Sequence, residues 1–117
     1  MIKTYNDLEI YQEGYKLLLE VYKITRGYPK EEIYVMTTQI RRAALSVVLN
    51  IAEGYGRQTA DEFKRFLKIS YGSINEVEVL LSIGEEIGYI SKEEYMKISE
   101  RYHILGKKTY SLIRNWK

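Results

Sequence analysis

Glu100-Arg101-Tyr102-His103 places a carboxylate and an imidazole at the Glu-x-x-His spacing by which some helical bundles hold a pair of metal ions. Such a centre needs two of these motifs and two further inward glutamates, and the sequence has one histidine in all. By spacing, His103 lies beside the apolar stripe of Tyr102 and Leu105, as a boundary residue. No metal or other cofactor is expected. Nucleophilic chemistry has no better footing: there is no cysteine, and Ser46 has no base within a turn on its own helical stripe. Glu53 reads as a partner of Arg57 at i+4, of a helix terminus or of a neighbouring chain. A non-enzymatic protein is the expectation.

Ile51-Ala52-Glu53-Gly54-Tyr55-Gly56-Arg57 has the glycines of a phosphate-cradling loop in the wrong setting. Such loops follow a strand and open a helix, so that free amides meet the anion. Here the glycines close a helix, whose carbonyls repel phosphate. Gly56 reads as a C-cap. Gly54 shares a stripe with Ile40, Val47 and Ile51 and reads as a close helix–helix approach.

The cations carry the sharper idea. Residues 41–68 hold six Lys/Arg against three acids, residues 69–100 hold two against seven, and Arg101–Lys117 holds five bases and no acid. Arg57, Lys64, Arg65 and Lys68, with Arg41 and Arg42 on the preceding helix, would converge on one edge if the intervening turn is tight. Repeated around an oligomer, that edge becomes a basic ring able to neutralise phosphates. Lys107, Lys108, Arg114 and Lys117 offer a second patch. Neither patch carries a recognition-helix signature or an aromatic platform, which excludes sequence-specific base reading from the expectation. The net charge of +2 alone implies no such partner.

The elements that must position these residues are helices. At 117 residues the chain is one domain with room for a core, and no segment alternates with a period of two. Asn6 with Glu9, Thr59 with Glu62, and Ser91 with Glu94 are capping-box pairs that open three helices. Gly27, Gly56 and Gly88 mark helix ends, and Pro29 marks the start of the second helix. Leu8, Tyr11, Tyr15, Leu18 and Tyr22 form the first stripe. Phe63, Leu67, Ser70, Ile74, Val77 and Leu81 form the third, and Tyr95, Ile98, Tyr102, Leu105, Thr109, Leu112 and Trp116 the last. Short connections make successive helices antiparallel, so the fold class is all-α, an up-down-up-down four-helix bundle. With no signal-like N-terminus and no run of about 18 apolar residues, a soluble cytoplasmic protein without membrane contact is expected.

The second helix is apolar over most of its circumference. Its one polar stripe is Gln39, Arg42, Ser46, Asn50, Glu53 and Arg57, which reads as a register-fixing hydrogen-bond network or a wet face, with a pore lining as the functional alternative. A helix apolar nearly all round has to be covered on more than one side. A homo-oligomer packed through Leu45, Val48, Leu49 and Ala52 follows, and twelve tyrosines suit such half-wet interfaces.

Gln39-Ile40-Arg41-Arg42-Ala43-Ala44, then Ser46, then Asn50 through Arg57, closely resembles the central motif of the 23S rRNA intervening-sequence proteins. These are related to the accessory variability protein of diversity-generating retroelements. Tyr5 through Gln12, Glu62-Phe63, Arg65-Phe66-Leu67, Tyr71-Gly72-Ser73, Glu76 and Gly88-Tyr89-Ile90 extend the resemblance over almost the whole chain. One departure is Val47-Val48-Leu49, where the family commonly has Ile-Pro-Ser or Val-Pro-Ser. Without that proline an amide donor is restored and a kink removed. The resemblance implies a four-helix bundle assembling as a homopentamer, with a basic surface that engages nucleic acid or a nucleic-acid enzyme such as a reverse transcriptase. The expected function is therefore binding of structured RNA or DNA without base reading. A protein-interaction scaffold is the alternative.

Overall fold

Capping chemistry divides the chain into helices with little ambiguity. The structure, a computed structural model, describes residues 1–117. It contains four helices, α1 (Glu9–Thr25), α2 (Met36–Gly56), α3 (Ala60–Glu86) and α4 (Lys92–Asn115), with short 3-10 turns at Tyr5–Asp7 and Lys30–Glu32. Thr59 caps α3 by accepting from the Glu62 amide at 3.2 Å, and Ser91 caps α4 by accepting from the Glu94 amide at 3.1 Å. Gly88 takes a left-handed φ of +88°, while Tyr89 N–H returns to the Gly84 carbonyl at 2.8 Å. That pattern closes α3 as a Schellman motif.

Three boundaries differ from the sequence expectation. The box at the N-terminus is Thr4 with Asp7, and it caps the 3-10 turn; Asn6 does not cap α1. The Lys3 and Thr4 amides both donate to Asp7 and hold its carboxyl below the usual carboxylate range. Pro29 precedes the second 3-10 turn, and α2 begins only at Met36. Gly56 remains inside α2, and Gln58 takes the left-handed turn instead, at φ +69°.

Each helix packs against two others around a square, α1 against α2 and α4, and α3 against α2 and α4. The α3 and α4 stripes are the ones expected: Phe63, Leu67, Ser70, Ile74, Val77 and Leu81 are all buried, as are Ile98, Tyr102, Leu105 and Thr109. The α1 stripe is so only in part, with Leu8 and Leu18 buried and Tyr11 packed against the core. Its core face is Ile10, Gly14, Leu17, Leu18, Val21 and Thr25, whereas Tyr15 and Tyr22 are exposed. Two apolar stripes run side by side on α1. The aliphatic one is taken inside because it carries no hydroxyl to satisfy, and the tyrosine one stays at the rim. No helix is long and apolar enough to cross a membrane.

Two hydroxyls break that rule. Tyr28 and Tyr102 bury their OH groups without a hydrogen-bond partner, and burial pushes the Tyr28 phenol up to about 12 and that of Tyr102 higher still. An orphaned buried polar group costs about 1–3 kcal/mol. Tyr102→Phe keeps the ring and removes the orphan. It is expected to stabilise the fold by about 1 kcal/mol. Urea unfolding checks this, as a higher midpoint at unchanged slope.

Candidate nucleic-acid interface

The antiparallel register of α3 and α4 is set by three contacts. Phe63 meets Trp116 with ring centroids 4.8 Å apart, Tyr71 meets Tyr110 at 5.8 Å, and Glu78 faces His103 at 3.9 Å. On α3, Lys64 and Lys68 lie seven and three residues before Tyr71, on the side turned towards α4. On α4, Lys107 and Arg114 flank Tyr110 at three and four residues. The register therefore draws Lys64 and Lys68, from the first predicted patch, into one stripe with Lys107 and Arg114, from the second. None of these four cations is paired with an acid. The guanidinium of Arg114 sits 6.0 Å from the Tyr110 ring centroid.

The other predicted cations are placed differently. Arg57 and Arg65 do converge, both lying over the Phe66 ring, but around acids. Arg57 pairs with Glu53 at 2.9 Å and Arg65 with Glu62 at 2.8 Å, and Arg57 reaches Glu62 at 3.9 Å. The Arg65 hydrogen bond is the main reason that the Glu62 carboxyl falls below its ordinary range. Two arginines against two glutamates leave little field for phosphate. Arg41 does not join that edge: it donates to Thr25 Oγ1 at 2.8 Å and lies 4.5 Å over the Tyr22 ring, on the α1–α2 seam. Arg42 is exposed on the outer side of α2 without a partner.

The polar stripe of α2 is the outer seam with α3. Ser46 and Ser73 hydroxyls lie 2.7 Å apart, Asn50 Nδ2 donates to the Ser46 carbonyl at 2.8 Å, and Gln39 donates to Glu76. Deeper in the seam, Ser70 donates to the Val47 carbonyl at 2.9 Å. The Ser46–Ser73, Gln39–Glu76 and Ser70–Val47 bonds tie α2 to one register of α3, as the network reading supposed, while Arg42, Glu53 and Arg57 of the stripe stay exposed as its wet face.

Of the expected interface residues, Leu45 is 38% and Leu49 56% exposed, and Ala52 is half-buried. Val48 differs. It is only 4% exposed and packs inside the bundle, where its Cγ1 closes on Gly14. One helical position separates an outward Leu49 from an inward Val48, so apolar character alone could not sort them. The aromatic pair Tyr71–Tyr110 is likewise invisible in the sequence. No aromatic platform shows beside the cations there, because these rings are adjacent only across two helices.

The comparisons bear on the fold and the lineage. A protein of unknown function from the S23 ribosomal protein family of Bacteroides thetaiotaomicron VPI-5482 has a crystal structure that superposes with a TM-score of 0.83. The match is 23% identical and covers 91% of this chain and 99% of that one, which supports a shared four-helix fold. No curated protein matches the sequence. The family model of the 23S rRNA-intervening sequence protein matches residues 6–111, and the chain belongs to that family.

Proposed function

We propose that the protein binds the sugar-phosphate backbone of structured RNA or DNA along the α3–α4 face, as a homo-oligomer packed through the outer side of α2. One observation carries the first part: Lys64, Lys68, Lys107 and Arg114 share a stripe without a single acid partner. Elsewhere Lys108 is paired with Glu9 at 2.8 Å, and Arg57 and Arg65 with Glu53 and Glu62. Cations left unneutralised on one face are free to displace counterions from phosphates.

The second part rests on Leu45 and Leu49. By the register that sets Arg41 against Tyr22, they lie beside Leu19 and Tyr15 of α1, which are 55% and 48% exposed. A contiguous apolar patch on the outside of a small bundle marks an interaction surface. The motif resemblance implies a homopentamer, in which the cationic faces would be repeated around a ring.

Titration of structured RNA and duplex DNA at several salt concentrations tests the function. Wild type is expected to bind with affinity falling steeply as salt rises. The Lys64→Glu, Lys68→Glu variant, with unchanged mass and helicity, should lower the salt slope by about 2 and bind far more weakly. Arg57→Glu with Arg65→Glu should do less, since both arginines are already neutralised. Absence of binding at low salt would defeat the reading and favour a scaffold for a nucleic-acid enzyme, such as the reverse transcriptase implied by the retroelement resemblance.

A further inference from the structure

A groove of about 390 Å3 continues the cation stripe between α3 and α4, lined by Tyr71, Asn75, Glu78, His103, Lys107 and Tyr110, with Gly106 adding no side chain. On α3 its residues recur at four and three, and on α4 at four and three, so two helical faces meet there with polar groups where a packed seam would carry aliphatics. Glu78 is partly buried, at 27% side-chain exposure, and burial raises its carboxyl above the usual range against the opposing effect of His103. The 3.9 Å to His103 is too long for a hydrogen bond. The carboxylate oxygens and the Asn75 amide thus have no hydrogen-bond partner in the protein, and they share the groove with the packed Tyr71–Tyr110 pair and an unpaired lysine.

We propose that this groove receives an unpaired guanine base, with Glu78 accepting from its N1–H and N2–H, a tyrosine ring stacked on its face and Lys107 at the adjoining phosphate. The proposal rests on the nucleic-acid reading above and adds base preference to it. Guanine alone among the bases presents two parallel N–H donors on one edge, and a carboxylate offers two parallel acceptors, the same complementarity that makes arginine forks bidentate. Adenine and cytosine set a lone-pair nitrogen beside their amino group, which a carboxylate repels. Uracil flanks its single N–H with two carbonyls. Only an unpaired base has this edge free, and aromatic stacking on splayed bases is the usual companion of such readout.

Fluorescence anisotropy with a short adenosine-only RNA strand and the same strand carrying a central guanosine tests this at low salt. Wild type is expected to bind the guanosine strand about tenfold more tightly, the effect of a hydrogen-bonded pair to a charged acceptor. Glu78→Gln, nearly isosteric on a groove wall, should abolish the difference between the two strands. Equal affinities in wild type, or a preference that survives Glu78→Gln, would overturn the proposal. A parallel arm follows the His103 ring signals by NMR as 5′-GMP and 5′-AMP are added. Shifts with GMP alone, lost in Glu78→Gln, would keep the groove as a guanine site even if no strand bound. In that case the backbone-binding reading fails by itself. If neither strand nor GMP bound, both would fall together.

Discussion

Gly54→Ala is expected to lower stability by about 2 kcal/mol, or about 8 °C in melting temperature for a domain of this size. A Cβ at Gly54 would lie 2.5 Å from the Phe66 Cβ and 3.3 Å from both the Phe63 ring and its carbonyl. The Phe66 Cβ is anchored directly to the α3 backbone, so it cannot swing aside. The strain is relieved only by moving α2 away from α3, which would also disturb the Ser46–Ser73 and Ser70–Val47 bonds along the same seam. Alanine is a better helix former than glycine by up to about 1 kcal/mol, and the overpacking has to exceed that gain. Gly72→Ala is the matched control. It sits in mid-α3 with nothing within 4 Å of its would-be Cβ, so only the propensity gain remains. Urea or thermal unfolding of the two variants should give opposite signs. Equal shifts would mean that α2 and α3 are not held at this separation.

Leu45→Glu with Leu49→Glu is expected to reduce the solution mass to that of a monomer without unfolding it. Leu49 is 56% and Leu45 38% exposed and neither belongs to the buried core, so the fold should tolerate their replacement. In an oligomer built on this face, each copy would instead bury a carboxylate opposite apolar surface. A buried unpaired charge costs several kcal/mol at each site, against roughly 1.5–3 kcal/mol forfeited for each aliphatic side chain no longer buried. Light scattering with helicity measured alongside reads the outcome. A wild-type protein that is already monomeric at micromolar concentration defeats the assembly reading, and so does a variant of unchanged mass. Val48→Glu would not serve, since Val48 belongs to the core and its replacement would unfold the bundle.

The two results bear on function together. A basic face presented by one small bundle can reach few phosphates, so salt that weakens any one of them removes a large fraction of the binding. Repetition around an assembly multiplies the phosphates engaged without changing any residue. The salt slope of the assembled wild type should therefore exceed that of the Leu45→Glu, Leu49→Glu monomer.

Period and punctuation in the sequence were enough for the number of helices, the buried stripes of α3 and α4, the caps at Thr59 and Ser91, the left-handed Gly88 and the close approach at Gly54. Each of these is local, fixed by which residues share one face of one helix or by what a single backbone position tolerates. The choice between two neighbouring stripes on α1 was not local. Both have helical spacing, and only packing shows that Ile10, Leu17 and Val21 turn inward while Tyr15 and Tyr22 stay at the rim. The inward turn of Val48 and the outward turn of Leu49 were decided in the same way. The candidate site depended on tertiary structure most of all. Charge counting places Lys64 and Lys68 in one patch and Lys107 and Arg114 in another, and joins Arg57 and Arg65 to the first. The α3–α4 register instead unites the lysines with the second patch, and the turn after α2 sets the two arginines around Glu53 and Glu62. It also brings Glu78 to His103 and Tyr71 to Tyr110. A helical period states which way a side chain faces, but which side chain it meets depends on the offset between two helices, and that is set by the whole core at once.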